Sequence, residues 1–131
     1  MIDSGLPSET HEFLVKNIDS LEELEVLLLL RSDPSKRWSV TDVNERIRSS
    51  SSSVGNRLQK LLGSGFVNSE DNGDTYRYSP RDESMDASVK QLAEVYRERR
   101  MKVIEAIFSK PLREIQSFSD AFKIRSKKSD G

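Results

Sequence analysis

Residues 38–62 hold two short helical periodicities broken by a polar turn, and no other stretch limits the fold of this chain so tightly. In WSVTDVNERI, Val40, Val43 and Ile47 recur at the spacing of one helical face. In SSSVGNRLQKLL, Val54, Leu58, Leu61 and Leu62 do the same. The break between them, Arg48-Ser49-Ser50, is about as long as the turn of a helix-turn-helix.

The next residues extend the pattern. Gly63 and Gly65 bracket Ser64, which suits a helix ending in the left-handed conformation. Phe66-Val67 and Thr75-Tyr76-Arg77-Tyr78 then flank the polar turn Asp71-Asn72-Gly73-Asp74, and Asn-Gly between β-formers signals a hairpin. Trp38-Ser39 reads as a small strand pairing beside that hairpin, with Trp38 as a core aromatic closing it rather than a platform for a base. Helix, turn, helix, hairpin is a winged helix-turn-helix. SSSVGNRLQKLLGSGFV resembles the recognition helix and first wing strand of the MarR/PadR-like bacterial transcription regulators: a Ser-rich helix start, an apolar residue, Arg-Leu, a second Leu, then Gly-aromatic. The likeness covers roughly residues 20–80. It implies a DNA-binding regulator, with terminal helices that join two copies.

Charge is unevenly spread. The whole chain has a net charge of −1, which counts mildly against nucleic-acid binding. From Lys36 to Gly65, however, Lys36, Arg37, Arg46, Arg48, Arg57 and Lys60 are opposed only by Asp42 and Glu45, and this basic portion coincides with the helix-turn-helix. The N-terminal segment, with Asp3, Glu9, Glu12 and Asp19, is acidic. So is the wing tip, where Glu70, Asp71 and Asp74 would be repelled by a minor groove unless Arg77 or Arg81 reached the backbone from the strand base.

Upstream, Phe13, Leu14 and Ile18 form one face of a short helix that starts near Pro7. Ser20-x-x-Glu23 is a capping box opening LEELEVLLLLR, whose run Val26–Leu30 is apolar almost all round, as in a central helix buried on every side. Downstream of Pro80, Val89, Leu92, Ala93, Tyr96, Val103, Ile104, Ala106, Ile107 and Phe108 recur every three or four residues. That predicts one helix of about 25 residues, too long to bury its stripe against so small a domain. A second copy of the chain is the simplest partner, with Val89, Leu92, Tyr96, Val103 and Ile107 as the dimer interface. Lys110-Pro111 ends this helix, a last amphipathic stretch runs from Leu112 to Ile124, and a basic tail closes the chain. The expected fold is mainly α with a small β-hairpin: a winged helix-turn-helix over 1–81 and C-terminal dimerisation helices over 82–131.

In helix-turn-helix docking the N-terminal residues of the second helix face base edges in the major groove. Those residues are Ser50, Ser51, Ser52 and Ser53, whose hydroxyls can bond bases or phosphates; some of them must simply cap the helix. Asn56 lies on the exposed side and suits adenine; Arg57 and Lys60 can reach guanine or phosphate. Arg46, Arg48 and Arg77 complete the expected DNA-binding set.

Other chemistry finds little support. The chain has no cysteine and one histidine, His11, which reads as a solvated surface residue; neither a disulfide framework nor a zinc site is expected. No phosphate-cradling glycine loop and no nucleophile paired with a base is present, so no enzyme and no cofactor is expected. Nothing resembles a signal peptide or membrane span, which predicts a cytoplasmic location. A small-molecule effector remains open; Tyr96, Phe108 and Phe118 could line a cavity, with core packing the plainer role. The expected function is therefore sequence-specific binding of double-stranded DNA by a homodimer. The alternative is a winged-helix adaptor that binds a transcription factor or polymerase subunit.

Overall fold

The computed structural model describes residues 5–109. Among the described residues there are six helices and a three-stranded antiparallel sheet. Helix α1 (Ser8–Asn17) is followed by α2 (Leu21–Ser32), the short strand β1 (Trp38–Ser39), α3 (Val40–Ile47) and α4 (Ser51–Ser64). The wing strands β2 (Val67–Glu70) and β3 (Thr75–Tyr78) precede α5 (Glu83–Glu98), and residues 100–109 form a further helix, α6.

The helix starts follow from side-chain capping. Ser20, Ser39, Ser50 and Asp82 each accept a hydrogen bond from the backbone N–H three residues on, satisfying one of the donors that a helix start leaves open. At Ser39 the box is reciprocal, because the Asp42 carboxylate accepts from the Ser39 N–H. Near Ser20 the Glu23 carboxylate reaches one residue further back, to the N–H of Asp19. Helix α4 ends at Gly65, with φ of 89°, a conformation that favours glycine.

The sheet order is β1-β3-β2. Trp38 pairs with Tyr76 and Val67 with Tyr78, so the predicted hairpin and its small flanking strand are both present. The wing turn places Asp71, Asn72 and Gly73 in left-handed backbone conformations, which Asp, Asn and Gly tolerate best. Helix α2 is central: Leu24, Val26, Leu27 and Leu30 are fully buried, and α2 packs on α3, α4 and β3. Trp38 belongs to the same core.

Two expectations about the C-terminal region are corrected. The single long helix is interrupted at Arg99, whose φ of −132° and ψ of 52° are not helical. The five residues expected at a dimer interface, Val89, Leu92, Tyr96, Val103 and Ile107, are buried inside the single chain, with α1 packed along α5. The sequence estimate of too little domain surface left α1 out of account. Exposed large apolar side chains among the described residues are Met101 and Phe108, seven residues apart on α6. The amphipathic stretch from Leu112, the basic tail and Phe118 lie outside the described residues.

Candidate nucleic-acid interface

Helix α4 has three sides, set by 100° per residue. Val54, Leu58 and Leu61 point into the core. Ser53, Arg57 and Lys60, at i, i+4 and i+7, share one flank and meet the first turn of α2 and the residue before its cap. Ser52, Asn56 and Gln59 are exposed on the opposite, outer side.

The α2 flank is held by carboxylates. Glu22 accepts from the Ser53 hydroxyl at 2.5 Å and from the Ser49 hydroxyl at 2.7 Å, and lies 3.4 Å from Arg57 Nε. Burial acts to raise the Glu22 carboxyl, but the hydrogen bonds from Ser53 and Ser49 and the charge of Arg57 outweigh it and hold the group below its ordinary range. Lys60 Nζ bonds Glu23 Oε1 at 3.0 Å, the carboxylate of Asp19 and the carbonyl of Asn17. Burial acts to lower the Lys60 ammonium, yet hydrogen bonds and charge from Asp19 and Glu23 carry it above its ordinary value. Glu23 is 0% exposed, and a carboxylate buried that far is costly unless it is paired and hydrogen-bonded, as it is here by Lys60 and the Asp19 N–H.

These contacts give several of the basic residues expected to face DNA partners within the chain. Arg57 and Lys60 turn toward α2 instead of outward, because their flank of the helix is the one α2 covers. Arg77 forms an ion pair with Glu70 across the wing at 3.0 Å. Arg81 donates to the carbonyl of Ser64 at 2.7 Å, packing against Gly65 at the end of α4. The wing acids are themselves engaged: Asp71 pairs with Arg37 at 3.2 Å and accepts from the Thr75 hydroxyl.

The remaining expected residues stay at the surface. Ser50 is the N-cap, its hydroxyl accepting from the Ser53 N–H. Ser51 and Ser52 are exposed in the first turn of α4, and Asn56 is exposed one turn further. Arg48 is exposed in the turn, with φ of 61°, and forms no ion pair among the described residues. Arg46 lies 5.9 Å from the centre of the Trp38 ring, which also carries Lys36 Nζ at 4.1 Å. Arg46 further borders a shallow cleft of about 450 Å³ with Glu25, Leu28, Leu29 and Tyr96, so of the aromatics considered for a cavity Tyr96 lines one and Phe108 points outward.

One residue of the outer side escaped the sequence reading. Gln59 is exposed on the same side as Ser52 and Asn56, and its amide donates to the Tyr76 hydroxyl of the wing at 2.5 Å. Its offset of three from Asn56 was a usable signal.

The surface that results is uncharged and hydrogen-bonding along α4, with Arg48 at its leading end. Its side chains can both donate and accept hydrogen bonds, and the positive charge of Arg48 stands exposed in the turn before them. No protein-family model matches the chain, and no curated protein matches it. Solved structures do. The multiple antibiotic-resistance repressor (MarR) of Listeria monocytogenes is 20% identical, with 91% of this chain and 82% of that one covered at a TM-score of 0.50. A MarR family transcriptional regulator of Streptomyces coelicolor is 17% identical, with 88% and 86% covered at a TM-score of 0.50. Element order, sheet topology and these two likenesses agree: the chain has the winged-helix fold found in MarR-family regulators.

Proposed function

We propose that this chain is a transcription regulator that binds double-stranded DNA as a homodimer, with α4 in the major groove. The observation that carries this reading is the outer side of α4. Ser52, Asn56 and Gln59 stand exposed there, with Ser51 exposed in the first turn, on a helix whose other two sides are fixed by the core and by the carboxylates of α2. A reading helix must hold its side chains in a defined frame to discriminate bases, and this one is restrained along most of its length. The two structural neighbours are described as a repressor and a transcriptional regulator, which supports the same reading.

Arg48 is the residue assigned to phosphate, and Arg46 and Lys36 add positive charge at the base of the wing. Arg57, Lys60 and Arg77 serve the fold. The homodimer is assigned to α6, where Met101 and Phe108 are 64% and 66% exposed.

The adaptor reading keeps one observation in its favour: three of the cations expected to face DNA are spent on internal ion pairs. Salt dependence separates the two. Duplex binding by the full chain should weaken steeply as salt rises, with a log–log slope of about −0.9 per phosphate neutralised. Arg48→Ala should reduce the slope by about one phosphate's worth, whereas Arg57→Ala should leave it unchanged. Binding that is absent at low salt, or insensitive to salt, would favour the adaptor.

A further inference from the structure

Gly55, Gln59 and Gly63 follow one another at i, i+4 and i+8, forming a single ridge on α4. A Cβ placed on either glycine would meet nothing within 4 Å, and neither glycine has a positive φ. Internal packing and backbone geometry therefore leave both positions open to alanine, which would strengthen the helix. Between these two bare positions stands Gln59, exposed and yet restrained. Its Nε2 donates to the hydroxyl of Tyr76, a residue only 4% exposed and fixed in β3 between Trp38 and Ser69. That bond uses one N–H and sets the plane of the amide. The carbonyl oxygen and the second N–H remain for a partner, and an acceptor beside a donor is the pattern that matches N6 and N7 of adenine. Asn56 has no such anchor among the described residues.

We infer that Gln59 is a base-reading residue with adenine as its preferred base, that Tyr76 is the residue positioning its amide, and that Gly55 and Gly63 give the duplex clearance beside it. The inference rests on the DNA-binding reading above. It explains together a hydrogen bond from wing to helix and two glycines that the fold does not require.

The test is selection of bound duplexes from a randomised pool by the full chain, beside Gln59→Ala and Tyr76→Phe. The wild-type motif should contain a position that prefers adenine. Gln59→Ala should flatten that position by roughly tenfold and leave the others intact. Tyr76→Phe keeps the ring and removes the hydroxyl, so it should weaken preference at the same position by a smaller factor. A merely structural role for Tyr76 would lower affinity at every position equally, and that outcome overturns the assignment. So does a Gln59→Ala motif identical to the wild type. A wild-type chain that enriches no sequence overturns the DNA-binding reading and this inference with it, whereas a motif indifferent to Gln59 overturns this inference alone.

Discussion

Glu22 on α2 accepts a hydrogen bond from the hydroxyl of Ser53 at 2.5 Å, tying the first turn of α2 to the first turn of α4 across 31 residues of chain. The same carboxylate takes Ser49 from the turn and faces Arg57. Glu22→Gln, which keeps the shape and removes the charge, should destabilise the fold by about 1–2 kcal/mol in urea denaturation at neutral pH. The pH dependence has a definite sign. The carboxyl is held below its ordinary value of 4.5 in the folded chain, so its contribution is complete above that value and disappears as pH falls through the lowered one. The wild-type and Glu22→Gln stabilities should therefore converge in acid. Curves that stay parallel would show that Glu22 stabilises by shape alone.

Lys60 should prove structural. Removing it leaves the fully buried Glu23 with the Asp19 N–H as the one remaining partner of its carboxylate among the described residues. Lys60→Ala should lose about 2 kcal/mol, less than a fully enclosed pair would, because the ammonium itself is partly exposed. Thermal unfolding measures this directly; an unchanged midpoint would return Lys60 to the list of residues free to meet DNA.

These two contacts mark the boundary of what the sequence discloses. Caps, helical stripes and the Asn-Gly turn are local, and Ser20, Ser50, Gly65 and the wing strands could all be placed from neighbouring residues. Which flank of α4 is covered is not local. Arg57 and Asn56 differ by 100° around one helix, and the position of Glu22, Glu23 and Asp19, 33 to 38 residues away, decides which of them faces out. The break at Arg99 had no proline or glycine to announce it. The burial of Val89, Leu92 and Tyr96 depended on where α1 would dock.

Gly55→Ala should separate stability from binding. With nothing within 4 Å of the new methyl group, the helix should gain about 0.5–1 kcal/mol. Duplex affinity, measured on the same protein by titration, should fall if the bare ridge is where DNA approaches. A gain in stability with undiminished affinity would mean that this ridge faces only solvent.

Gly65→Ala should act in the opposite direction. The residue has φ of 89°, and a Cβ there would lie 2.6 Å from the Arg81 guanidinium. A loss of about 1–2 kcal/mol is expected from the left-handed backbone alone. Adding Arg81→Ala should recover only the part due to the clash, so the double mutant read by denaturation should be more stable than the sum of the single changes implies.

The dimer is tested on α6. Met101→Glu with Phe108→Glu should leave the circular dichroism spectrum and unfolding midpoint near wild type, since both side chains are already exposed. Sedimentation should then report a monomer where the wild type reports a dimer. Two subunits surviving the double change would place the contact elsewhere.

The three-sided arrangement of α4 carries a consequence for how such a protein can diversify. Two sides of the helix carry the cost of folding, and the third touches almost nothing within its own chain. Substitutions at Ser52 or Asn56 are thus uncoupled from thermodynamic fitness, so whatever this face binds, its preference can drift through many intermediates without any of them unfolding. Gln59 is the exception, because its wing anchor makes any exchange there a two-residue event.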